Sequence, residues 1–381
     1  MRLNLVPLFV LLCLPPAYGK DPAGPPGGGP PAAERDLAVR ASEIVSSMDT
    51  EKLAAQVLLS AVEGRELGKK TELLFTAVPP GGVMLFSYNV ASDPGRTRLF
   101  LEELSSLIRS VSGTAPFIAA DQEGGAVQRF RGAASLPPAL SYWERLERGE
   151  DRGSLTAAVE REALVSGREL RSLGVNLNLA PVAEPLSPGN RSFLKDRSYG
   201  PDPDFTAAAA AAFVRGMERA GVASTLKHFP GSSGADPHKI RGAKIGEDPA
   251  ELESMISPFR RVIAASGPAA VMVSHAIVSP WDSRPASLSP EAVRRLREDL
   301  GFRGIIIADD FAMAAAPAPP EVCAVEALNA GVDMVLAWTQ DLRKIHAALV
   351  LAVREGRLDG EKLRRAAERI VFAKLRYALM R

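Results

Sequence analysis

The sequence predicts an α/β fold, a closed (β/α)8 TIM-type barrel forming a single domain, and three observations predict it. Eight short runs rich in β-branched, Leu and Ala residues recur along the chain. Amphipathic stretches with apolar spacing near 3.6 residues separate most of them. No G-x-G-x-x-G turn occurs, which removes the usual mark of an open doubly wound sheet. A chain of 381 residues is long for one domain, yet barrels of this kind commonly run beyond about 250 residues as one unit.

Each predicted strand is a short apolar run of the kind a sheet covered on both faces requires. Residues 55–61 and 82–86 centre on Val57-Leu58-Leu59 and Val83-Met84-Leu85, and residues 117–120 open with Phe117-Ile118. Residues 175–180 alternate Val175, Leu177 and Leu179 with Asn176 and Asn178. The fifth run, 222–226, stops just before Lys227 and His228, so both are expected where the strand meets a loop. Residues 270–275, 304–308 and 332–337 complete the set around Val271-Met272-Val273, Ile305-Ile306-Ile307 and Met334-Val335-Leu336. Helices are expected at 97–111, 154–173, 204–220, 250–265, 290–300 and 320–330. A last stretch, 342–377, reads as helical throughout and as a buttress for the barrel.

The N-terminus follows a different logic. Arg2 precedes a mostly apolar run over 3–14, Pro15-Pro16 ends it short of the roughly 20 residues a membrane span needs, and Ala17-Tyr18-Gly19 offers small residues for cleavage. Residues 1–19 therefore read as a cleaved export signal that leaves no membrane span and implies a periplasmic or secreted protein. Leu12 before Cys13 is bulkier than a lipoprotein signal requires. Residues 20–35, rich in Gly and Pro, read as a disordered linker, and 36–381 as the barrel domain. With 46 basic against 45 acidic side chains the formal net charge is +1, so no global field draws nucleic acid or anionic lipid, and a small neutral ligand fits better. Cys13 and Cys323 alone exclude a disulfide framework or a cysteine-rich metal site.

In a barrel, the residues that follow the strands share one mouth, and catalytic groups concentrate there. Asp121 through Arg129 follow the third strand, Arg197-Ser198-Tyr199-Gly200 the fourth, Lys227 and His228 the fifth, His275 the sixth, and Asp309-Asp310 the seventh. Asp309 ends a strand too apolar to be anything but interior, which suits a nucleophile; the competing role is an N-cap for a helix over 311–316. Two of the four histidines, His228 and His238, lie within eleven positions on a segment containing Gly231, Ser232, Ser233 and Gly234. His238 can serve as a general acid/base with Asp236 holding its tautomer. Lys227 and Arg129 supply donors and Asp121 acceptors, a combination that grips adjacent sugar hydroxyls. The same lysine at a strand end also admits a Schiff-base aldolase. A metal hydrolase using His228, His238 and Asp309 lacks H-E-x-x-H spacing.

Taken together these motifs resemble glycoside hydrolase family 3, specifically its single-domain bacterial β-N-acetylglucosaminidases (beta-hexosaminidases) of cell-wall turnover. The likeness runs from about residue 53 to 338. It is carried by Asp121-Gln122-Glu123-Gly124-Gly125 with Val127-Gln128-Arg129, by Asn176-Leu177-Asn178-Leu179-Ala180-Pro181-Val182, by Arg197-Ser198-Tyr199-Gly200, by Lys227-His228-Phe229-Pro230-Gly231, by Arg284-Pro285-Ala286-Ser287, and by Gly304 through Asp310.

The resemblance implies one catalytic domain that releases terminal β-linked N-acetylglucosamine with retention, including from peptidoglycan fragments (muropeptides). Asp309 would be the nucleophile, His238 the acid/base and Asp236 its partner; Asp121, Arg129, Arg197, Lys227 and His228 would bind the sugar. It implies no metal and no organic cofactor, a carbohydrate as partner, and a monomer. A sugar-binding envelope protein on the same barrel, or a glycosidase of different sugar specificity, remains the alternative. Four departures from the family pattern stand out: Ser232-Ser233 in place of His-Gly within a shortened loop, Pro237 in place of serine, Ala308 in place of serine, and Ala126 where arginine is common.

Overall fold

Parallel pairing closes eight strands on themselves in the computed structural model, which describes residues 32–132, 134–236, 239–313 and 316–380. The strands are β1 (Leu58–Ala61), β2 (Gly82–Leu85), β3 (Phe117–Ala120), β4 (Leu177–Asn178), β5 (Ala223–Phe229), β6 (Ala270–Val273), β7 (Ile305–Ala308) and β8 (Met334–Ala337). Each neighbours its sequence successors, and β1 pairs with β8 (Leu58 opposite Val335) to close the ring. All eight coincide with predicted runs. Ala55 and Gln56, predicted as strand, instead end a helix over Thr50–Gln56. The fifth strand runs on through Phe229, so Lys227 and His228 lie within it rather than after it. Backbone pairing explains the extension: Lys227 N donates to Pro181 O (3.1 Å), Ala183 N donates to Lys227 O (2.7 Å), and Ser274 N donates to Phe229 O (2.9 Å).

Helix boundaries have local causes. Asp93, Asp202 and Asp248 each cap a helix whose first position is proline, at Pro94–Ser112, Pro203–Arg219 and Pro249–Ser266. Gly113, Gly174, Gly267 and Gly331 end helices in the left-handed region. The stretch predicted as one helix from 342 to 377 is two, Leu342–Arg354 and Gly360–Arg376, because Gly356 turns left-handed (φ 72°) and Asp359 starts a new cap. A further helix, Ala32–Ser46, begins inside the predicted linker, so residues 32–35 are helical. It packs against Gly360–Arg376. The rest of the linker and the proposed signal lie outside the described residues. No described helix is long and apolar enough to cross a membrane.

Behind β4 and β5, helices Arg152–Leu173 and Pro203–Arg219 approach closely because glycine lets them. A Cβ on Gly216 would lie 2.4 Å from Glu160 O, and one on Gly167 would lie 2.7 Å from Ala220 Cβ.

At the opposite pole from the mouth, buried Asp333 accepts hydrogen bonds from Arg297, from Arg369 Nη1 (2.8 Å) and from Ile306 N (2.8 Å), tying the C-terminal helix to β7. Nearby on that helix, Lys374 is fully buried, its ammonium has no hydrogen-bond partner, and it lies 5.8 Å from the centroid of the Phe117 ring. Burial pushes its amine down to about 7. The unfolded chain therefore binds the extra proton between about pH 7 and the ordinary lysine value of about 10.5, and stability rises with pH across that window. Lys374→Met is expected to raise the unfolding free energy at pH 7 by roughly 3 kcal/mol and to remove this slope, as read from urea titrations at pH 7 and pH 10.

Candidate active site

The mouth of the barrel holds a cavity of about 430 Å³ at the C-terminal ends of the strands. On one side, the β3 end continues into a hairpin in which Gln122–Gly124 pairs with Val127–Gln128. Gln122 is its internal fastener: Oε1 accepts from Arg129 N and Phe130 N (both 3.0 Å), while Nε2 donates to Phe130 O (2.7 Å) and Ala134 O (2.9 Å). Asn178 on β4 clamps the Gln122 backbone from the other direction, with both contacts at 3.0 Å. Extended backbone alternates side chains, so with Gln122 turned inward Asp121 and Glu123 both face the cavity.

Those two carboxylates alternate with three cations. Arg129 Nη2 meets Asp121 Oδ2 at 2.7 Å, and Lys227 Nζ meets Asp121 Oδ1 at 2.8 Å and Glu123 Oε1 at 2.6 Å. Arg197, on the turn Lys195–Arg197, grips Glu123 with two bonds of 2.8 Å. The side chains of Lys227 and Glu123 are only 3% and 4% exposed, so these charges interact with little water between them. Burial alone would raise both carboxyls; Lys227 with Arg129 at Asp121, and Lys227 with Arg197 at Glu123, overcome it and hold them below the usual range. Burial likewise opposes the charge on Lys227, yet Asp121 and Glu123 hold its amine above its ordinary value. An ammonium so held is no Schiff-base nucleophile, which removes the aldolase.

His228 is fixed by a residue that sequence reading missed. Glu184, buried just beyond β4, accepts from His228 Nδ1 (2.7 Å) and from the Ser232 hydroxyl. Burial opposes the Glu184 charge, but the hydrogen bonds from His228 and Ser232 lower its carboxyl. Asn190 locks the surrounding loops by donating to Pro185 O (2.9 Å) and Ser232 O (3.1 Å). The available signal is a carboxylate directly after the apolar run Ala180-Pro181-Val182-Ala183.

Across the cavity Asp309 follows β7, 5% exposed, its Oδ1 accepting from Asp310 N (2.9 Å) and its own N–H donating to Val273 O (3.0 Å). The paired aspartates divide their work. Asp310 caps a turn, accepting from Ala312 N (2.8 Å) and from Trp338 Nε1 (2.8 Å). Residues 311–313 form a turn in place of the predicted helix, and Ala314 and Ala315 lie outside the described residues. His275 contacts Ser287 Oγ (2.8 Å) and Asp310 O (3.0 Å) and stacks on Phe311, so it supports this turn and does not line the cavity. Asp236 does line it, with Lys239 Nζ 3.6 Å away. His238 and Pro237 lie outside the described residues. The two serines of the shortened loop anchor its start, Ser232 on Glu184 and Ser233 on Glu251 (2.6 Å). The structure thus brings Asp121, Arg129, Arg197, Lys227, His228, Asp236 and Asp309 to one cavity.

Residues 51–373 match the glycosyl hydrolase family 3 N-terminal domain, a span that includes the C-terminal helices. A beta-hexosaminidase of Stenotrophomonas maltophilia is 38% identical over 296 residues, covering 75% of this chain and 84% of that protein. One from Methylococcus capsulatus is 37% identical over 268 residues, covering 67% and 75%. Among solved structures, a glycoside hydrolase family 3 beta-N-acetylglucosaminidase from Paenibacillus superposes with a TM-score of 0.80 at 29% identity over 87% of this chain, and this chain spans only 63% of its length. A beta-N-acetylhexosaminidase from Beutenbergia cavernae gives 0.76 at 28% identity, covering 86% of this chain and 99% of that one.

Lys227→Met leaves Asp121 and Glu123 side by side without their shared cation. The lowered carboxyls contribute stability above their ordinary value of about 4, and lose it as pH falls through their depressed folded-state values. In the variant both protonate at higher pH, so the acid-unfolding midpoint is expected to move up, with a loss of about 3 kcal/mol at neutral pH in urea titrations.

Proposed function

The chain belongs to glycosyl hydrolase family 3 and is a glycosidase, and from that premise we propose that it releases terminal β-linked N-acetylglucosamine through a covalent glycosyl-aspartate on Asp309. The observation that carries this reading is the opposition of Asp309 to the Asp121–Lys227–Glu123 network across one cavity. A retaining displacement needs a carboxylate on a rigid element at the anomeric carbon, and hydrogen-bonding groups that hold the ring while the bond breaks.

In the first step a carboxylate oxygen of Asp309 attacks the anomeric carbon as the glycosidic bond breaks, and His238 gives its proton to the departing oxygen. In the second step water gives a proton to His238 and its oxygen takes the anomeric carbon, releasing the sugar and restoring the Asp309 carboxylate. Asp236 holds the His238 imidazole in the required tautomer. The Asp310 N–H bond to Asp309 orients the nucleophile. Asp121, Arg129, Arg197, Lys227 and His228 bind the terminal sugar: fixed anions accept from its hydroxyls and fixed cations donate to them.

The apolar run over 1–19, read as an export signal, supports a periplasmic or secreted activity with peptidoglycan fragments as its substrate. With aryl β-N-acetylglucosaminide and aryl β-glucoside in parallel, turnover is expected on the first. Asp309→Ala is expected to abolish it, His238→Ala to lower kcat by about 10²–10⁴-fold, and a slow fluorinated glycoside to label Asp309 in the parent. Binding of N-acetylglucosamine without any turnover would make the chain a sugar-binding protein instead.

A further inference from the structure

Glu184 is a buried carboxylate that stands behind His228, on the far side of the imidazole from the cavity that His228 lines. Its backbone is held on both sides. Ser198 Oγ donates to Glu184 O (2.6 Å), Ala183 N donates to Lys227 O (2.7 Å), and Asn190 ties Pro185 O to Ser232 O. The side chain therefore projects from a fixed point, and its two oxygens are divided between two neighbours. Oε2 accepts from the Ser232 hydroxyl, while Oε1 meets both His228 Nδ1 (2.7 Å) and the His228 backbone N–H (3.3 Å).

This arrangement decides where the imidazole carries its proton. A backbone N–H can only donate, so Oε1 is an acceptor at that point whatever the ring does. Burial opposes the charge on this carboxyl, yet His228, Ser232 and the charge of Arg197 hold it below the usual range, so Glu184 has no proton to give. The proton of the 2.7 Å bond then belongs to Nδ1. A histidine free in water favours the proton on Nε2, and the carboxylate reverses that preference. A second proton, on Nε2, would add positive charge to a wall that already holds Arg129, Lys227 and Arg197.

The polarity of the ring matters because of what surrounds it. Asp121 Oδ1 meets Lys227 and Oδ2 meets Arg129; Glu123 Oε1 meets Lys227 and Arg197, and Oε2 meets Arg197. Every carboxylate oxygen of this wall is thus already engaged by a cation. A sugar hydroxyl that accepts from one of these cations still has its own proton to place, since a hydroxyl both donates and accepts. With Nδ1 committed to Glu184, the nitrogen that His228 can turn to such a hydroxyl is Nε2, and in this tautomer it carries a lone pair.

We propose that Glu184 is a positioning residue for sugar binding: it holds His228 as the Nδ1–H tautomer, so that Nε2 accepts a hydrogen bond from a hydroxyl of the terminal sugar. This rests on the β-N-acetylglucosaminidase reading. Nitrogen NMR of the full chain carrying isotope-labelled histidine, at about pH 8.5 and so above the ordinary imidazole value, reads the tautomer directly. With the His228 signals identified by their absence in His228→Asn, Nδ1 is protonated and Nε2 bare in the unsubstituted protein. A proton on Nε2, with or without one on Nδ1, overturns the proposal. Kinetics on an aryl β-N-acetylglucosaminide supply the second readout. Glu184→Met offers Nδ1 no acceptor and raises KM about tenfold with kcat within about twofold. Glu184→Gln, whose amide oxygen meets the same two donors while its NH2 turns to Ser232 Oγ, keeps both the tautomer and, within about twofold, the KM. A KM unchanged in Glu184→Met, a loss confined to kcat, or an equal rise in both variants overturns the role. If Glu184→Met does not fold, the tautomer of the unsubstituted protein decides alone. Failure of the unsubstituted protein to cleave the glycoside overturns the hydrolase reading instead. Calorimetric titration with N-acetylglucosamine then takes the place of KM: the role stands if Glu184→Met weakens binding about tenfold and Glu184→Gln does not, and falls if binding is absent or equal in the two.

Discussion

The ammonium of Lys227 stands between the carboxylates of Asp121 and Glu123, and the arrangement of the mouth follows from that placement. Removing five charged groups from water is costly, and mutual attraction offsets the cost only when every charge meets hydrogen-bonded partners of opposite sign. Lys227 comes from β5, the carboxylates from the β3 hairpin and Arg197 from the turn beyond β4. None of the three segments can shift without stranding a charge on another. The Gln122 and Asn178 amides secure the hairpin so that its carboxylates arrive in register with Lys227. Strand β7 delivers Asp309 to the facing wall, its own N–H donating to Val273 O.

The barrel was legible in the sequence because its cause is local. Runs such as Ile305-Ile306-Ile307 have no stable place except a strand covered on both sides, and the Asp-Pro and Gly punctuation between them starts and stops helices by backbone chemistry alone. What was misread depends on contacts far along the chain. Lys227 and His228 are polar and precede Phe229-Pro230-Gly231, so they read as loop, yet pairing with Pro181 and Ala183 draws them into β5. Gly356 was too isolated a signal to divide the last helix before its turn was seen. In the site, strand-end position found the carboxylates and cations, since charge at the end of an apolar run is conspicuous. It did not find Glu184, Gln122, Asn178 or Asn190, whose work is to hold other groups and whose partners lie up to 56 residues away, as Gln122 and Asn178 do.

The departures from the family pattern acquire local explanations where the chain is described. Ser232 is hydrogen-bonded to the carboxylate that holds His228, and Ser233 anchors the next helix through Glu251, so the shortened loop begins from two fixed points. Ala308 occupies a fully buried place at the end of β7, where its methyl packs without a polar group to satisfy. Nothing in the structure explains Ala126.

Two glycines on the outer shell have a consequence for precision at the mouth. Helix Arg152–Leu173 leads into β4 and helix Pro203–Arg219 leads into β5, and Gly167 and Gly216 set how closely those helices lie. The pair works as a gauge block: its thickness is copied to the strands that follow and so to the gap between Glu184 and His228. One methyl group inserted on the outside of the barrel would be read out as a misaligned imidazole within it.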